Sequence, residues 1–497
     1  MKYQVLLKVL AALLACTALT MSIPLVAALV FGENEMLAPF LLPLATVLVS
    51  SSIIILMTKK YKISFTAADG FLIVFLAWVC ICLMGSVPYV MSGCPGGFSG
   101  AFFESVSGFT TTGATVFVDV EALPRSLLLW RAMTHWLGGM GIVVISVVLL
   151  PLLGAGGFQL IRAEASGSEK DRITPKITTT AKLLWLLYVA LTVFNLLLLR
   201  LGGMNWFESV LHAFSTMASG GFSSRNQSIA AYHSPYIEWV TGIFMLLASF
   251  NFSLIYRLLR GKIGDLLHNS EARAYGLIIL VSVSLITFSL LSRNPSGGIP
   301  AGGNALLLGG SGFEPALRQA VFHTASILST TGFSAGDFNL WPPLARACLF
   351  FLMFTGGCSG STAGGIKVIR YVVLCRQAGN EMKKLLYPRG VFSVQLNKKA
   401  GRKDLVYGAA AFVFLYFVMV FAAALLVSSA GFDVFSSLNA ALLSLGNIGL
   451  GQGIFGPGSA FTMVPGYVRW GLSFIMIAGR LELWTALVFF SREYWRQ

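Results

Sequence analysis

Charged residues are scarce in this chain of 497 residues: they make up 11% of it, whereas soluble domains carry roughly 25%. Hydrophobic residues reach 56%, which excludes an ordinary soluble globular protein. We therefore predict an integral membrane protein with many spans. The net charge of +15 comes from lysines and arginines concentrated in short connections between apolar runs, so it indicates a membrane orientation signal and no nucleic-acid partner.

Cysteine is also sparse, and paired catalytic groups are missing. The seven cysteines are scattered, mostly inside apolar runs, with neither a disulfide pattern nor metal-site spacing. Cys16 resembles a lipoprotein cleavage site, but the apolar run continues to Phe31, which favours a first membrane span. His135, His212 and His323 form no metal-ligand pattern and are predicted to pack or to hydrogen-bond. We therefore predict that the chain is not an enzyme and binds no organic cofactor. A membrane enzyme or receptor is the least favoured alternative.

About ten apolar runs are long enough to cross a bilayer, which takes about 20 residues. They lie at 5–31, 38–58, 69–91, 126–153, 182–203, 235–260, 274–292, 342–376, 404–429 and 465–490. Lysines and arginines cluster after the second, fourth, sixth and eighth runs. All these connections fall on one side, which the positive-inside rule makes cytoplasmic, together with both termini.

Four shorter, semi-apolar segments lie between runs, and all four fall on the opposite side. They cover 98–114, 204–222, 314–333 and 433–450. Because they are too short to span and too apolar for surface loops, we predict that they are re-entrant. The fold class is therefore an all-α polytopic membrane protein with about ten transmembrane helices and four re-entrant pore loops.

After the first two runs, the order span, re-entrant segment, span occurs four times, which predicts four repeats around a central pore. The register is set by glycines that lie nine residues after an anchor position: Glu104 and Gly113, His212 and Gly221, His323 and Gly332, Ala440 and Gly449. We predict an N-terminal two-helix domain and four pore repeats, with boundaries at 1–62, 63–180, 181–270, 271–400 and 401–497.

The turns around these glycines, which we name the filter loops, have the composition of a narrow pore lined by backbone. Carbonyl oxygens can replace the water around an ion, and glycine allows the backbone turns that direct them inward. The carboxyl ends of short helices pointing at the axis favour a cation. Because the loops carry no ring of carboxylates, a dehydrated monovalent cation fits better than a divalent one. The alternative is that the glycines only allow close helix packing.

The eighth run is interrupted by the glycine-rich stretch 356–365. Each interior glycine costs a helix about 1 kcal/mol relative to alanine, so the helix should break here. We predict a flexible plug beneath the filter, with rigid close packing as the alternative. A phosphate-binding loop is disfavoured because Ile366 separates Gly365 from Lys367. Arg480, within the last run, is predicted to face the pore or to cap buried carbonyls.

Several stretches together resemble the Trk/Ktr/HKT superfamily of potassium transporters, and most closely its bacterial Trk branch. They are SGFTTTGATV at 107–116, FSTMASGGFS at 214–223, ILSTTGFS at 327–334, LGNIGLGQG at 445–453, FTGGCSGSTAGGIKVIR at 354–370 and AGRLELW at 478–484. The match covers nearly the whole chain, and the two extra N-terminal spans favour that branch. The resemblance implies potassium as the transported ion and a bacterial inner-membrane location.

The resemblance also assigns site residues. The predicted potassium-binding filter residues are Thr111, Thr112, Gly113, Ser219, Gly220, Gly221, Thr330, Thr331, Gly332, Asn447, Ile448 and Gly449. The predicted gate residues are Gly356, Gly357, Gly360, Gly364, Gly365, Lys367 and Arg480. The fourth loop departs from the Thr-Gly form, so one wall of the filter is expected to differ chemically.

The predicted function is potassium uptake through a selective, channel-like pore with an intramembrane gate. The alternative is a symporter that couples potassium to H⁺ or Na⁺. The resemblance further implies a homodimer and a cytosolic nucleotide-binding regulatory subunit, TrkA-like, docked on the basic loops 159–182, 257–273 and 376–403.

Overall fold

The computed structural model describes residues 3–61, 67–141, 177–292, 312–397, 399–400 and 403–496. The first half of this part contains α1 Tyr3–Thr20, α2 Ser22–Phe31, α3 Leu37–Met57, α4 Ala67–Met91, α5 Gly97–Phe109, α6 Arg125–Gly139, α7 Ile177–Leu201, α8 Trp206–Met217, α9 Pro235–Ala248 and α10 Phe252–Leu259. The second half contains α11 Ile263–Leu267, α12 Ser270–Leu291, α13 Phe313–Leu328, α14 Pro343–Leu352, α15 Val368–Leu386, α16 Lys403–Ser428, α17 Val434–Gly446, α18 Gly466–Arg480 and α19 Trp484–Leu487. A small antiparallel hairpin, β1 Gln395–Leu396 and β2 Lys399–Ala400, follows α15.

The two predicted N-terminal spans are present and pack outside the rest. The first is made of α1 and α2, which meet at Met21, and α2 ends at Gly32 in the left-handed conformation. The second, α3, returns along α1. Large apolar side chains such as Val30, Leu56 and Met57 are exposed on them. Exposed apolar surface of this extent is what a lipid environment requires.

Each of the four repeats consists of an outer helix, a short pore helix and an inner helix. The outer helices are α4, α7, α12 and α16, the pore helices are α5, α8, α13 and α17, and the inner helices are α6, α9, α14 and α18. The pore helices have 12 to 16 residues and are the predicted re-entrant segments. Residues 100–109 of α5 are all buried, so the interior of the assembly surrounds the pore helix.

The repeats close into a ring. The inner helix α6 packs against its own pore helix α5 and against α8 of the next repeat. The inner helix α9 likewise contacts α8 and α13, and α18 contacts α17 and, back at the start of the ring, α5. This circular packing confirms the predicted arrangement of four repeats around a central axis.

The inner helices are shorter than the apolar runs that contain them. Within the described residues, six helices are long and apolar enough to span a membrane unbroken, or seven if the bent pair α9 and α10 is one span. Those two helices meet at 104°. The helix α18 ends at Arg480, before the left-handed residues Glu482 and Leu483. The sequence predicted such a break in the third repeat alone.

Local sequence explains where these helices begin and restart. Prolines at positions 124, 235, 343 and 465 stand at or next to the first residue of each inner helix, where a missing N–H is harmless. After the bend, the Asn251 side chain accepts hydrogen bonds from the amides of Ser253 and Leu254 and caps α10. Because the residues on both sides of this bend are apolar, the hydropathy pattern predicted one continuous span, 235–260, and did not predict the bend.

The third-repeat break predicted at 356–365 is present between α14 and α15. The end of the fourth predicted run, 142–153, and most of the basic loop 159–182 lie outside the described residues. The domain boundaries stay a prediction.

Candidate functional site

The four filter loops share one unusual backbone conformation. The residue two before each aligned glycine has a positive φ although it is not glycine: Thr111 at 56°, Ser219 at 58°, Thr330 at 57° and Asn447 at 53°. The aligned glycines are also left-handed: Gly113 at 85°, Gly221 at 81°, Gly332 at 79° and Gly449 at 73°. Left-handed non-glycine residues are energetically unfavourable, so four in register indicate a conformation that the surrounding structure enforces.

The aligned glycines close the four loops into a ring. A Cβ atom built on each would fall on the carbonyl oxygen of the residue before the glycine in the next repeat. These contacts are Gly113 with Gly220 at 2.1 Å, Gly221 with Thr331 at 2.0 Å, Gly332 with Ile448 at 1.9 Å and Gly449 with Thr112 at 2.0 Å. No side chain fits at such distances. The glycines are therefore needed because the backbones of neighbouring filter loops approach each other closely. These contacts lie between loops, so they differ from the alternative of close packing between helices.

The ring borders a cavity of about 530 Å³. All four aligned glycines line this cavity. The loops leave the carboxyl ends of the pore helices α5, α8, α13 and α17, so four partially negative helix ends converge at the ring. This field, with the carbonyls, favours a cation.

Hydroxyl groups within the loops hold the residues of the ring in place. Thr110 and Thr112 share a hydrogen bond of 2.8 Å between their hydroxyls, and Ser329 and Thr331 share one of 2.6 Å at the same position in the third repeat. In the fourth loop the Asn447 side-chain amide makes the corresponding hydrogen bond, which it donates to the Thr112 hydroxyl of the first repeat. The chemical departure of the fourth loop is thus confined to its side chains, since its backbone follows the other three.

A buried ion pair secures the first filter loop. Glu104 accepts hydrogen bonds from the Val116 amide at 2.9 Å and from the Thr115 hydroxyl at 3.0 Å. The Arg131 Nε donates to the same carboxylate at 2.9 Å, and both side chains are almost completely buried. Arg131 also donates to the Ser223 carbonyl at 3.3 Å in the second repeat. The pair therefore ties two adjacent loops together.

The second repeat uses its own anchor in the same register. His212 lies nine residues before Gly221, as Glu104 does before Gly113. Its Nε2 is 3.0 Å from the Ser223 hydroxyl, the position that corresponds to Thr115. Glu104 and His212 thus bind equivalent residues of their loops, Thr115 and Ser223. The anchor position therefore has the same role in both repeats, although one side chain is a carboxylate and the other an imidazole.

His135 bridges the first and second repeats. Its Nδ1 is 2.7 Å from the Gly108 carbonyl, and the Phe222 amide donates to its Nε2 at 3.1 Å. These partners fix a neutral ring protonated at Nδ1. The ring also stacks on Phe222 at 4.1 Å, and a Cβ on Gly220 would lie 2.4 Å from it. The prediction of a hydrogen-bonding histidine is confirmed, although its place against the filter was not foreseen.

The segment between α14 and α15, residues 353–367, lies against the inner side of the ring, and we name it the gate loop. It folds back on itself through a hydrogen bond of 2.9 Å from the Gly356 amide to the Ile366 carbonyl. A Cβ on Gly356 would lie 2.0 Å from the Gly364 carbonyl. The glycines allow the two arms of the loop to pack tightly together.

The gate loop touches three of the four filter loops. The Thr362 hydroxyl is 2.7 Å from the Ser219 hydroxyl in the second repeat. The Gly364 amide donates to the Thr330 hydroxyl at 2.8 Å in the third. A Cβ on Gly364 would lie 3.2 Å from the Asn447 side chain in the fourth. Three of the four left-handed residues of the filter, Ser219, Thr330 and Asn447, therefore have side chains next to the gate loop.

Two cations hold the gate loop, the partly exposed Arg480 and the buried Lys367. Arg480 donates to the Thr362 carbonyl at 2.8 Å and to the Gly138 carbonyl at 2.7 Å, so it joins the loop to the end of α6. The Lys367 ammonium donates to the Ala363 carbonyl within the loop. Arg480 thus donates to backbone carbonyls of the gate loop and of α6, and its role at the gate stays a prediction.

The structure brings the predicted filter and gate residues into one continuous site. Arg131, which secures the loops, was missed by sequence reasoning. A charged residue within the apolar run 126–153 was the available signal, because such residues are rare at membrane depth. Its partner Glu104 was noted only as a register mark.

Comparisons with known proteins agree with this geometry. A family model described as TrkH, cation transport protein, matches residues 42–497. A relative from Halomonas elongata named Trk system potassium uptake protein TrkH is 37% identical, with all of both chains covered. The protein of that name from Escherichia coli K12 is 36% identical over 96% of each chain. The crystal structure of the potassium transporter TrkH from Vibrio parahaemolyticus matches with a TM-score of 0.86 and 32% identity, covering both chains completely.

Proposed function

Because this chain belongs to the TrkH family of cation transport proteins, we propose that it takes up potassium through the pore that its four filter loops enclose. It is a multi-pass membrane protein, and it is a transport protein rather than an enzyme. The observation that carries the proposal is the closed ring of four glycines against four carbonyls. A ring of carbonyls with four helix carboxyl ends behind it replaces the water around a dehydrated monovalent cation.

The proposed ion ligands are the backbone carbonyls of the filter loops. The residues are Thr111, Thr112, Gly113, Ser219, Gly220, Gly221, Thr330, Thr331, Gly332, Asn447, Ile448 and Gly449. The ion is the cargo, and no organic cofactor is proposed. A membrane potential that is negative inside contributes about 2.3 kcal/mol per charge per 100 mV, so uptake needs no chemistry by this chain.

The gate loop, with Lys367 and Arg480, is the proposed gate. It sits directly beneath the ring and hydrogen-bonds to the filter loops, which supports a closed conformation of the pore. Opening requires Thr362 and Gly364 to leave Ser219 and Thr330. The many glycines make such a rearrangement of backbone possible.

The second candidate function is symport coupled to H⁺ or Na⁺. A coupled carrier needs a further ion site or a titrating carboxylate within the membrane. The buried Glu104 and Glu238 are ion-paired with Arg131 and Arg318 at 2.9 Å each. These pairings favour the uncoupled channel over the symporter.

The test is ion flux into proteoliposomes that contain this chain, measured with K⁺, Rb⁺ and Na⁺. In Gly113→Ser the new Cβ collides with the Gly220 carbonyl, so the ring is displaced and we expect the preference for K⁺ over Na⁺ to fall. The matched control is Gly431→Ser. Gly431 has a φ of 89°, close to that of Gly113, but its Cβ direction is open.

A wild-type chain that does not distinguish K⁺ from Na⁺ contradicts the filter. A Gly113→Ser variant with unchanged selectivity contradicts the role of the ring. Uptake that stops when a proton or sodium gradient is removed supports the symporter. If no ion moves, the assay is repeated with the regulatory partner before the pore is rejected.

We also propose a homodimer in the bacterial inner membrane, with both termini cytoplasmic and a nucleotide-binding regulatory subunit on the cytoplasmic face. Basic residues on the described parts of the loops 257–273 and 376–403 support this orientation. Chemical cross-linking and protease protection of both termini in spheroplasts test the two halves of this proposal.

A further inference from the structure

Glu271 joins the middle of the gate loop to the start of α15. It is the second residue of α12, and it is 6% exposed. One carboxylate oxygen accepts a hydrogen bond of 2.7 Å from the Ser359 amide and one of 3.3 Å from the Ile369 amide. Ser359 lies near the middle of the gate loop, and Ile369 is the second residue of α15. Charge-assisted bonds of this kind are about twice as strong as neutral ones, so the carboxylate keeps the middle of the loop against the start of α15.

The neighbouring Ser270 is attached to a different element. Its amide donates to the Asn397 Oδ1 at 2.8 Å. Asn397 forms the turn of the β1–β2 hairpin in the left-handed conformation, with a φ of 50°, and its side chain is exposed. The Arg376 guanidinium on α15 donates to the Ser270 hydroxyl at 3.0 Å. Two of the basic loops predicted to dock a partner therefore meet at this serine.

We propose that Ser270 and Glu271 link the hairpin mechanically to the gate loop, which makes Glu271 a positioning residue for the gate. The two residues are joined by one peptide bond in the first turn of α12. A displacement of the hairpin that pulls Ser270 therefore also moves the Glu271 carboxylate away from the Ser359 and Ile369 amides. This inference rests on the proposed function of the gate loop.

Cys358, at 0% exposure in the gate loop, provides a test that does not depend on transport. The full chain is placed in lipid nanodiscs with Cys358 and Cys82 as its only cysteines. The rate at which N-ethylmaleimide modifies each thiol is followed by mass spectrometry. Cys82 is also 0% exposed but lies in α4, away from the gate loop, so it reports general loosening of the protein.

In Glu271→Ala we expect Cys358 to be modified about tenfold faster, the change that one charge-assisted hydrogen bond can produce, while Cys82 is unchanged. Glu271→Gln keeps one oxygen acceptor and should fall between wild type and alanine. Asn397→Ala should also accelerate Cys358, without adding to the effect of Glu271→Ala. The control is Asp265→Ala, a carboxylate on the same surface that pairs with Arg257.

An unchanged Cys358 rate in Glu271→Ala overturns the link, and so does an equal rise at Cys82. An unchanged rate in Asn397→Ala overturns the part played by the hairpin. These results stand apart from potassium flux. A chain that conducts no potassium even with the regulatory partner present contradicts the proposed function but leaves a faster Cys358 rate as support for the link.

Discussion

The Asn447 side-chain amide donates a hydrogen bond of 2.9 Å to the Thr112 hydroxyl, although 335 residues separate them. The same amide nitrogen donates to the Met476 carbonyl at 3.0 Å in α18. One side chain thus joins the last filter loop to the first and closes the ring between the ends of the chain. The asparagine that replaces threonine in the fourth loop therefore provides the hydrogen bond that joins this loop to the first.

We expect Asn447→Thr to loosen this closure. Threonine occupies the same left-handed position in the first and third loops, so the backbone can persist while the cross-repeat bond is lost. Loss of a buried hydrogen bond costs about 1–3 kcal/mol, and the preference of flux for K⁺ over Na⁺ should decrease. Asn195→Ala is the control, because the Asn195 amide is buried on α7 and has no hydrogen-bond partner within the described part of the chain. An Asn447→Thr variant with wild-type selectivity would show that the bond does not shape the filter.

The Glu104–Arg131 pair should behave as one unit. Replacing Glu104 with Gln leaves the Arg131 charge buried without compensation, which costs about 3–5 kcal/mol and should lower the Tm markedly. Arg131→Met should act similarly, and the double variant should lose less than the sum of the two. The exposed pair Glu381–Lys384 is the control, since Glu381→Gln should leave the Tm unchanged. Strictly additive losses would contradict coupling.

Asp433 makes the start of the fourth pore helix sensitive to pH. Its carboxylate accepts from the Ser436 amide at 3.0 Å, and the Ser436 hydroxyl and amide hold the pKa of Asp433 below its ordinary value of 3.8. A lowered folded-state pKa means that the stabilisation is present above pH 3.8 and is lost as the pH falls through the folded-state value. We expect Asp433→Ala to lower the Tm at neutral pH.

Asp433→Asn separates the cap from the charge. Asparagine caps helices as well as aspartate does, so the Tm at neutral pH should stay close to that of the wild type. The part of the acid-dependent fall in Tm that comes from the Asp433 carboxylate should disappear. If Asn and Ala lower the Tm equally at pH 7, the cap is not what stabilises this helix start.

Much of the fold could be predicted from the sequence because its signals are local. Hydropathy located the spans, and the nine-residue register selected Gly221, whose φ of 81° matches the other three glycines. The same pattern could not show the bend between α9 and α10. Its residues remain apolar on both sides, and Asn251 acts as a helix cap only once the chain has turned.

The connections between repeats were beyond sequence reasoning. His135 and Phe222, or Arg480 and Gly138, are far apart in the chain, and no spacing rule joins them. Glu271 illustrates the same difficulty, since a carboxylate at the start of a helix ordinarily indicates only a favourable helix dipole. Closure of the ring brings such residues together, and their roles follow from that closure.

Thr362 offers the most direct test of how the gate loop communicates with the filter. Thr362→Val keeps the shape of the side chain and removes the hydroxyl that contacts Ser219 at 2.7 Å and the Ala248 carbonyl at 3.0 Å. The loop should then leave the ring more readily, and basal potassium flux should rise about fivefold if one net hydrogen bond of about 1 kcal/mol is lost. Selectivity should not change, because the carbonyl ring is untouched. Thr46→Val on the exposed face of α3 is the control, since among the residues that the structure describes the Thr46 hydroxyl bonds only within its own helix. Unchanged flux in Thr362→Val would show that the contact with Ser219 does not hold the gate closed.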